Sequence, residues 1–389
     1  MKAALKEALQ QISQNTWKIF DSKNEKYIDA INVMYAGKAI WEDGSLLWPH
    51  NATVDIKFNV PVCGEFKTNF YMLTNLGVSA SELKIGTFCH ESGHLLCRFP
   101  DLYDYGCRDG DSTESAGAGD FCLMSSGNHL DNDGSPAPIC GYLRYLAKWC
   151  DDVQDLSVPG SYILTLSPSV IGIYRVSEFE FFILENYMRC KFTASLPDDG
   201  LAIWHCDTQG SNEWQMGTKE KHYQCALVQA DGKEDLEHDR NKGDQGDLYH
   251  PQQPGVFFSN QTSPSSKAWD RRDSGLMIRD LQVGTSNSLA FSIVKPKLMP
   301  QNIDAARYQS AVVGSPVSSH YAQEENHGVV LHKVPVYSSL QQDFRQPLIL
   351  NARQSHVSRP PIPATSIAPG VTQTSQEEDQ NNDHGCPIC

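Results

Sequence analysis

No apolar run in this 389-residue sequence is long enough to cross a bilayer, so no transmembrane segment is expected. The first residues, "MKAALKEALQQISQ", read as a short amphipathic helix and lack the apolar core and small-residue cleavage site of a secretory signal. Positive charge is scarce too: 32 Lys and Arg stand against 47 Asp and Glu, for a formal charge of −15. Nucleic acids and anionic membrane surfaces need clustered positive charge, so neither is expected as the main partner. Twelve cysteines are present, ten of them from Cys63 to Cys225, but those ten lack the paired spacing of a zinc finger. An oxidising compartment would pair some of them, and a reducing one would leave them as small buried apolar side chains. No internal repeat stands out.

Residues 1–152 mix helical and strand patterns. "YIDAINVMYAG" (27–37) reads as a buried strand and "NATVDIKFNVPV" (51–62) as a half-exposed one. Residues 79–99 form the clearest helical pattern. Ser79 and Glu82 fit a capping box, Pro100 ends the run, and Ile85, Phe88, Cys89, Ser92, Leu95 and Leu96 make one mostly apolar stripe. "PAPICGYLRYLAKWC" (136–150) reads as a second helix. From about 153 to 296 short β-rich runs alternate with turn residues, which predicts a second, β-rich lobe. Residues 297–389 are rich in Ser, Gln, Pro and Asn without a sustained period. They are expected to be a largely disordered tail, with a short strand at "HGVVLHKVPVY".

Within the first helical pattern lies "GTFCHESGHLLCRFPDLYDYG" (86–106). His90 and His94 are four apart, so on a helix they share one face and reach one zinc ion. Glu91, one residue round from His90, is placed to take a proton from water without coordinating. The bland alternative is a helix with two satisfied histidines and a solvated glutamate. The capped helix, its apolar back and the acidic, aromatic turn after it favour the metal. A catalytic zinc takes three protein ligands and keeps a fourth position open. Asp101, just past Pro100, is the expected third ligand and Asp104 the alternative. Glu114 fits the spacing of a different, glutamate-ligand class, although "DSTESAGAGD" reads as loop. Tyr103, Tyr105 and His129 are candidates for an extra hydrogen-bond donor.

Downstream, "GDFCLMSSGNH" (119–129) sets Met124 in a tight Ser/Gly turn. With "HESGHLLCRFPDLYDYG", "CLMSSGNH" and the following "PAPICGYLRYLAKW" in this order, the chain resembles the immune inhibitor A family of zinc metalloproteases. "IDAINVMYAG", "LLWPHN", "FILENYM", "LPDDGLAIWHCD", "ALVQADG" and "GDQGDLY" extend the resemblance over roughly 25–295. It implies an α+β fold: a metzincin-like protease domain (1–152) with an active-site helix and a mixed sheet, then the β-rich lobe (153–296) and the tail. It also implies a methionine turn at Met124 beneath a Zn2+ ion, protein or peptide substrates, and a secreted enzyme. The signal and propeptide usual in that family are absent here, so the sequence reads as an N-terminally truncated member. Six residues separate His94 from Asp101 where the commonest metzincin spacing has five, and Cys97 stands where a glycine usually permits the turn. A non-glycine is disfavoured at positive φ, so the turn must be built differently. The rival reading is a catalytically inactive, protease-fold binding protein.

Three acidic stretches, 108–113, 130–135 and 239–247, are candidates for Ca2+. None fits an EF-hand loop. The third, with Asp244 and Asp247, is the strongest, and solvated turns are the plain alternative for all. His205 and Cys206 are neighbours on a strand pattern, point to opposite faces and are expected in the core. The terminal "HGCPIC" follows an acidic stretch, unlike prenylated tails, and is expected to carry no chemistry.

Overall fold

The structure, a computed structural model, describes residues 7, 19–40, 47–60, 64–106, 108–109, 111–214, 217–251 and 254–294. The tail at 297–389, its strand at 327–337 and most of the N-terminal helix lie outside the described residues. Fourteen strands dominate the described residues: β1 (Ile31–Tyr35), β2 (His50–Val60), β3 (Gly64–Asn75), β4 (Asp104–Tyr105), β5 (Glu114–Ser115), β6 (Asp152–Asp155), β7 (Gly160–Leu164), β8 (Val170–Arg175), β9 (Glu180–Tyr187), β10 (Gly200–Asp207), β11 (Cys225–Leu227), β12 (Val256–Phe258), β13 (Ile278–Val283) and β14 (Leu289–Ile293). They form four sheets, ordered β1-β3-β2, β11-β10-β9-β8-β6, β12-β13-β14-β7 and β4-β5. All pairings are antiparallel except β1 with β3 and β6 with β8.

The five-stranded sheet is the middle layer. Along β9 and β10 the side chains alternate between two cores. Phe181, Ile183, Ala202, Trp204 and Cys206 face a core shared with residues 99–143. Phe182, Leu184, Leu201 and Ile203 face the four-stranded sheet through Phe258, Ile278 and Phe291. Burial on both faces explains the unbroken apolar run "FFIL" where a one-sided strand would alternate. The three-stranded sheet has its own core, centred on Ile56, Phe58, Phe66 and Leu73. Its other face, through Phe70 and Met72, packs on Leu95 and Phe88 of the helix at 86–97. At the edge of that sheet β1 alternates between half-buried and exposed, with Met34 48% exposed, so it is not the buried strand its composition suggested.

The α+β expectation, with a long metzincin-like active-site helix, is overturned. The architecture is mostly β, and the longest helix among the described residues has 12 residues. Its α-helical part, α1 (Gly86–Ser92), continues as a π-helical turn over Gly93–Cys97. The predicted start at Ser79 fails. Residues 80–82 make one isolated 3₁₀ turn, and Ser79 caps nothing with its side chain. The helix begins at Gly86 because the Asp133 carbonyl accepts from both Ile85 N and Gly86 N, satisfying the first orphan donors. Of the predicted apolar stripe, Ile85 and Leu96 are exposed. The second helix, α2, is cut to Gly141–Leu146. Pro136 and Pro138 lie outside it, and Lys148, at φ 59°, turns the chain left-handed just after it. No helix among the described residues is long and apolar enough to cross a membrane. The eight described cysteines are free thiols.

Candidate metal centre

His90 lies in α1 and His94 one turn on, in the π segment, with ring centroids 4.7 Å apart. Each imidazole is oriented by a backbone carbonyl. His90 Nδ1 donates to Leu123 O at 2.8 Å and His94 Nδ1 to Phe99 O at 2.6 Å. A carbonyl only accepts, so both protons sit on Nδ1 and both Nε2 lone pairs are left facing inward. The two Nε2 atoms are 3.0 Å apart, and Asp101 Oδ1 lies 3.2 and 3.1 Å from them. Tetrahedral zinc, with bonds of about 2.0–2.1 Å, holds its ligand atoms roughly 3.3 Å from one another. The three atoms therefore have the spacing of one face of a zinc tetrahedron.

The electrostatics agree with that fit. Three acceptors converging in a buried place repel one another unless a positive charge lies among them. With protons as the only cations, burial lowers the His94 pKa, but Asp101 overrides it and lifts it to about 9. Asp101 is held well below the usual carboxylate range: its burial pushes upward, and the two imidazoles outweigh it. The other carboxylate oxygen, Oδ2, accepts from the Tyr105 hydroxyl at 2.9 Å and lies 3.8 Å from the Arg108 guanidinium. Arg108 in turn stacks 3.9 Å over the Tyr105 ring and pairs with Glu213 at 3.0 Å. These contacts leave Oδ1 to the imidazoles.

The altered turn is absorbed by the helix itself. The π segment takes up the extra residue between His94 and Asp101, and Arg98, at φ 58°, makes the left-handed turn, not Cys97. Met124 is fully buried beneath this segment. A Cβ added to Gly93 would stand 2.6 Å from its Sδ. The Met124 carbonyl accepts from Leu102 N at 2.8 Å, which ties the loop after Asp101 to the turn that carries Met124.

Glu91 is buried at the wall of a cleft of about 370 Å³ that His90, Tyr103, Ser115, Asn128 and His129 also line. Its Oε2 has no hydrogen-bond partner. Burial raises its pKa, against the opposing pull of His90 and His94. No known family model matches the chain, nor does any curated protein.

Asp104, the alternative ligand, is not brought to the histidines. It groups with Asp109 and Asp111, accepts from Gly106 N at 2.7 Å and abuts Glu213; burial lifts its pKa to about 7. Glu114 lies on β5 opposite Tyr105, exposed and outside the histidine group. Tyr103 hydrogen-bonds Tyr105, and His129 Nδ1 meets Asp133 at 2.6 Å. Asp244 and Asp247 come together with Asp231, whose carboxylate already carries the Lys233 ammonium at 2.7 Å. His205 stacks between Phe182 and Trp269 and holds Glu180, while Cys206 faces the other core. The Leu123 and Phe99 carbonyls, Arg108 and Glu213 had no signal in the sequence. Arg108 and Glu213 are 105 residues apart along the chain.

Proposed function

We propose that this chain is a zinc-dependent endopeptidase that hydrolyses peptide bonds in proteins. The observation that carries the reading is the convergence of His90 Nε2, His94 Nε2 and Asp101 Oδ1 within 3.0–3.2 Å, beside a buried glutamate with a free oxygen. The resemblance of these segments to the immune inhibitor A proteases supports the same activity and an extracellular setting. His90, His94 and Asp101 would hold the ion. When bound, zinc supplies Lewis acidity, which brings a water toward ionisation near neutral pH and polarises a carbonyl.

The rest falls to the chain. Two neutral imidazoles and one carboxylate leave the centre with net positive charge. Glu91 accepts the proton of the attacking water and returns it to the leaving amine, and burial strengthens it as a base. The Leu123 and Phe99 carbonyls fix the imidazole tautomers throughout, and the cleft that His90 and Glu91 line is where a substrate would enter.

Glu91→Gln is expected to keep zinc, measured by metal analysis of the full chain, while casein cleavage falls by roughly 10²–10⁴. His94→Ala is expected to lose the metal. Cleavage by Glu91→Gln at the parental rate would refute the assignment. A parent that holds zinc yet cleaves nothing in a broad peptide library would instead be a binding protein.

A further inference from the structure

Beyond the histidine trio, a second group of oxygens is arranged as if around a cation. Asp104, Asp109 and Asp111 each offer a carboxylate oxygen within 4.8 Å of the other two. Asp104 is 3% exposed, and its Oδ2 has no hydrogen-bond partner. Glu213, from the far loop between β10 and β11, brings its carboxyl against that of Asp104, and its own buried Oε2 is unpartnered too. Two carboxylates cannot donate to each other, so this contact needs either a shared proton or a cation. Arg108 meets only the other oxygen of Glu213, at 3.0 Å, and one guanidinium does not offset four carboxylates. The group of Asp231, Asp244 and Asp247 also holds an unpartnered buried oxygen, Asp244 Oδ1, but there Asp231 already carries the Lys233 ammonium at 2.7 Å, whereas among the described residues no Lys or Arg pairs with Asp104, Asp109 or Asp111.

We propose that Asp104, Asp109, Asp111 and Glu213 form a binding site for a hard divalent cation of the calcium class. All its donors are carboxylate oxygens, which select a hard ion over zinc. They come from a short turn and one distant loop, which suits the irregular six to eight oxygens of calcium better than the strict octahedron of magnesium. The site is separate from the histidine trio and stands whether or not that trio is catalytic.

Terbium, a luminescent stand-in for calcium, tests it on the purified full chain. Excited tyrosine and tryptophan are expected to sensitise saturable terbium emission that calcium displaces. The double variant Asp109→Asn/Asp111→Asn changes two loop residues outside the core. It is expected to weaken apparent terbium affinity by about tenfold or more through lost ligand charge, with its circular dichroism and its thermal midpoint in chelator unchanged. Asp231→Asn/Asp244→Asn is expected to leave the emission as in the parent. Absent emission, emission that calcium does not displace, or emission untouched by the Asp109/Asp111 variant would overturn the proposal and leave a proton shared between Asp104 and Glu213. If the double variant misfolds, Asp111→Asn alone gives the same reading.

Discussion

Asp101 carries two tasks on two oxygens. Oδ1 faces the imidazoles, and Oδ2 is occupied by the Tyr105 hydroxyl and the nearby Arg108. A carboxylate without that second contact rotates more freely, and the ligand atom is less often in place. Tyr105→Phe removes that hydroxyl together with its hydrogen bond to Tyr103, and zinc affinity is expected to fall by roughly 10–100-fold. Competition against a chromophoric chelator measures this, and equal affinity would show that Tyr105 does not position the ligand. That His90, His94 and Asp101 would meet, with Glu91 beside them, was legible because that meeting depends on spacing within twelve residues. Arg108 and Glu213 were not, because their meeting depends on two loops that only the folded sheet brings together.

At the level of elements, helical periodicity over 79–99 marked the right segment and misjudged its extent. Periodicity registers which side chains would share a face. It does not register where the first amide donors find an acceptor, and that is decided by the Asp133 carbonyl from a loop about 50 residues on. The same blindness hid the π turn, which costs regular hydrogen bonding and is held by packing on Met124. Gly86 makes this testable. In an isolated helix, Gly to Ala stabilises by about 1 kcal/mol. Here a Cβ would fall 1.9 Å from the Asn128 carbonyl oxygen, which is backbone and cannot rotate away. Gly86→Ala is therefore expected to destabilise by about 1–3 kcal/mol or more, read as a drop in denaturant midpoint. A gain in stability would mean that the helix does not approach the 126–129 turn so closely.

The whole molecule layers the histidine-bearing segment on a sheet covered on both faces, and its acidic composition meets burial at particular carboxyls. The β-rich texture beyond 153 was readable in short apolar runs. That the middle sheet would bury both faces was not, since β9 and β10 show it only through partners far along the chain. Glu237, half-buried in the loop between β11 and β12, is one such carboxyl. Burial is the main cause of its rise to about 7, and the nearby Glu234 and Asp247 add to it, against a hydrogen bond from Gln229. In the unfolded chain the same group titrates near 4.3. Between those two values the folded state binds more protons than the unfolded one, so stability falls as pH rises through the window. Growing negative charge on a chain already at −15 acts in the same direction. In chelator, the denaturant midpoint is expected to decline from pH 5 to pH 8. Glu237→Gln keeps the neutral shape and is expected to remove at most about 3 kcal/mol of that decline. An unchanged slope in the variant would mean that Glu237 ionises in the folded protein as it does in water.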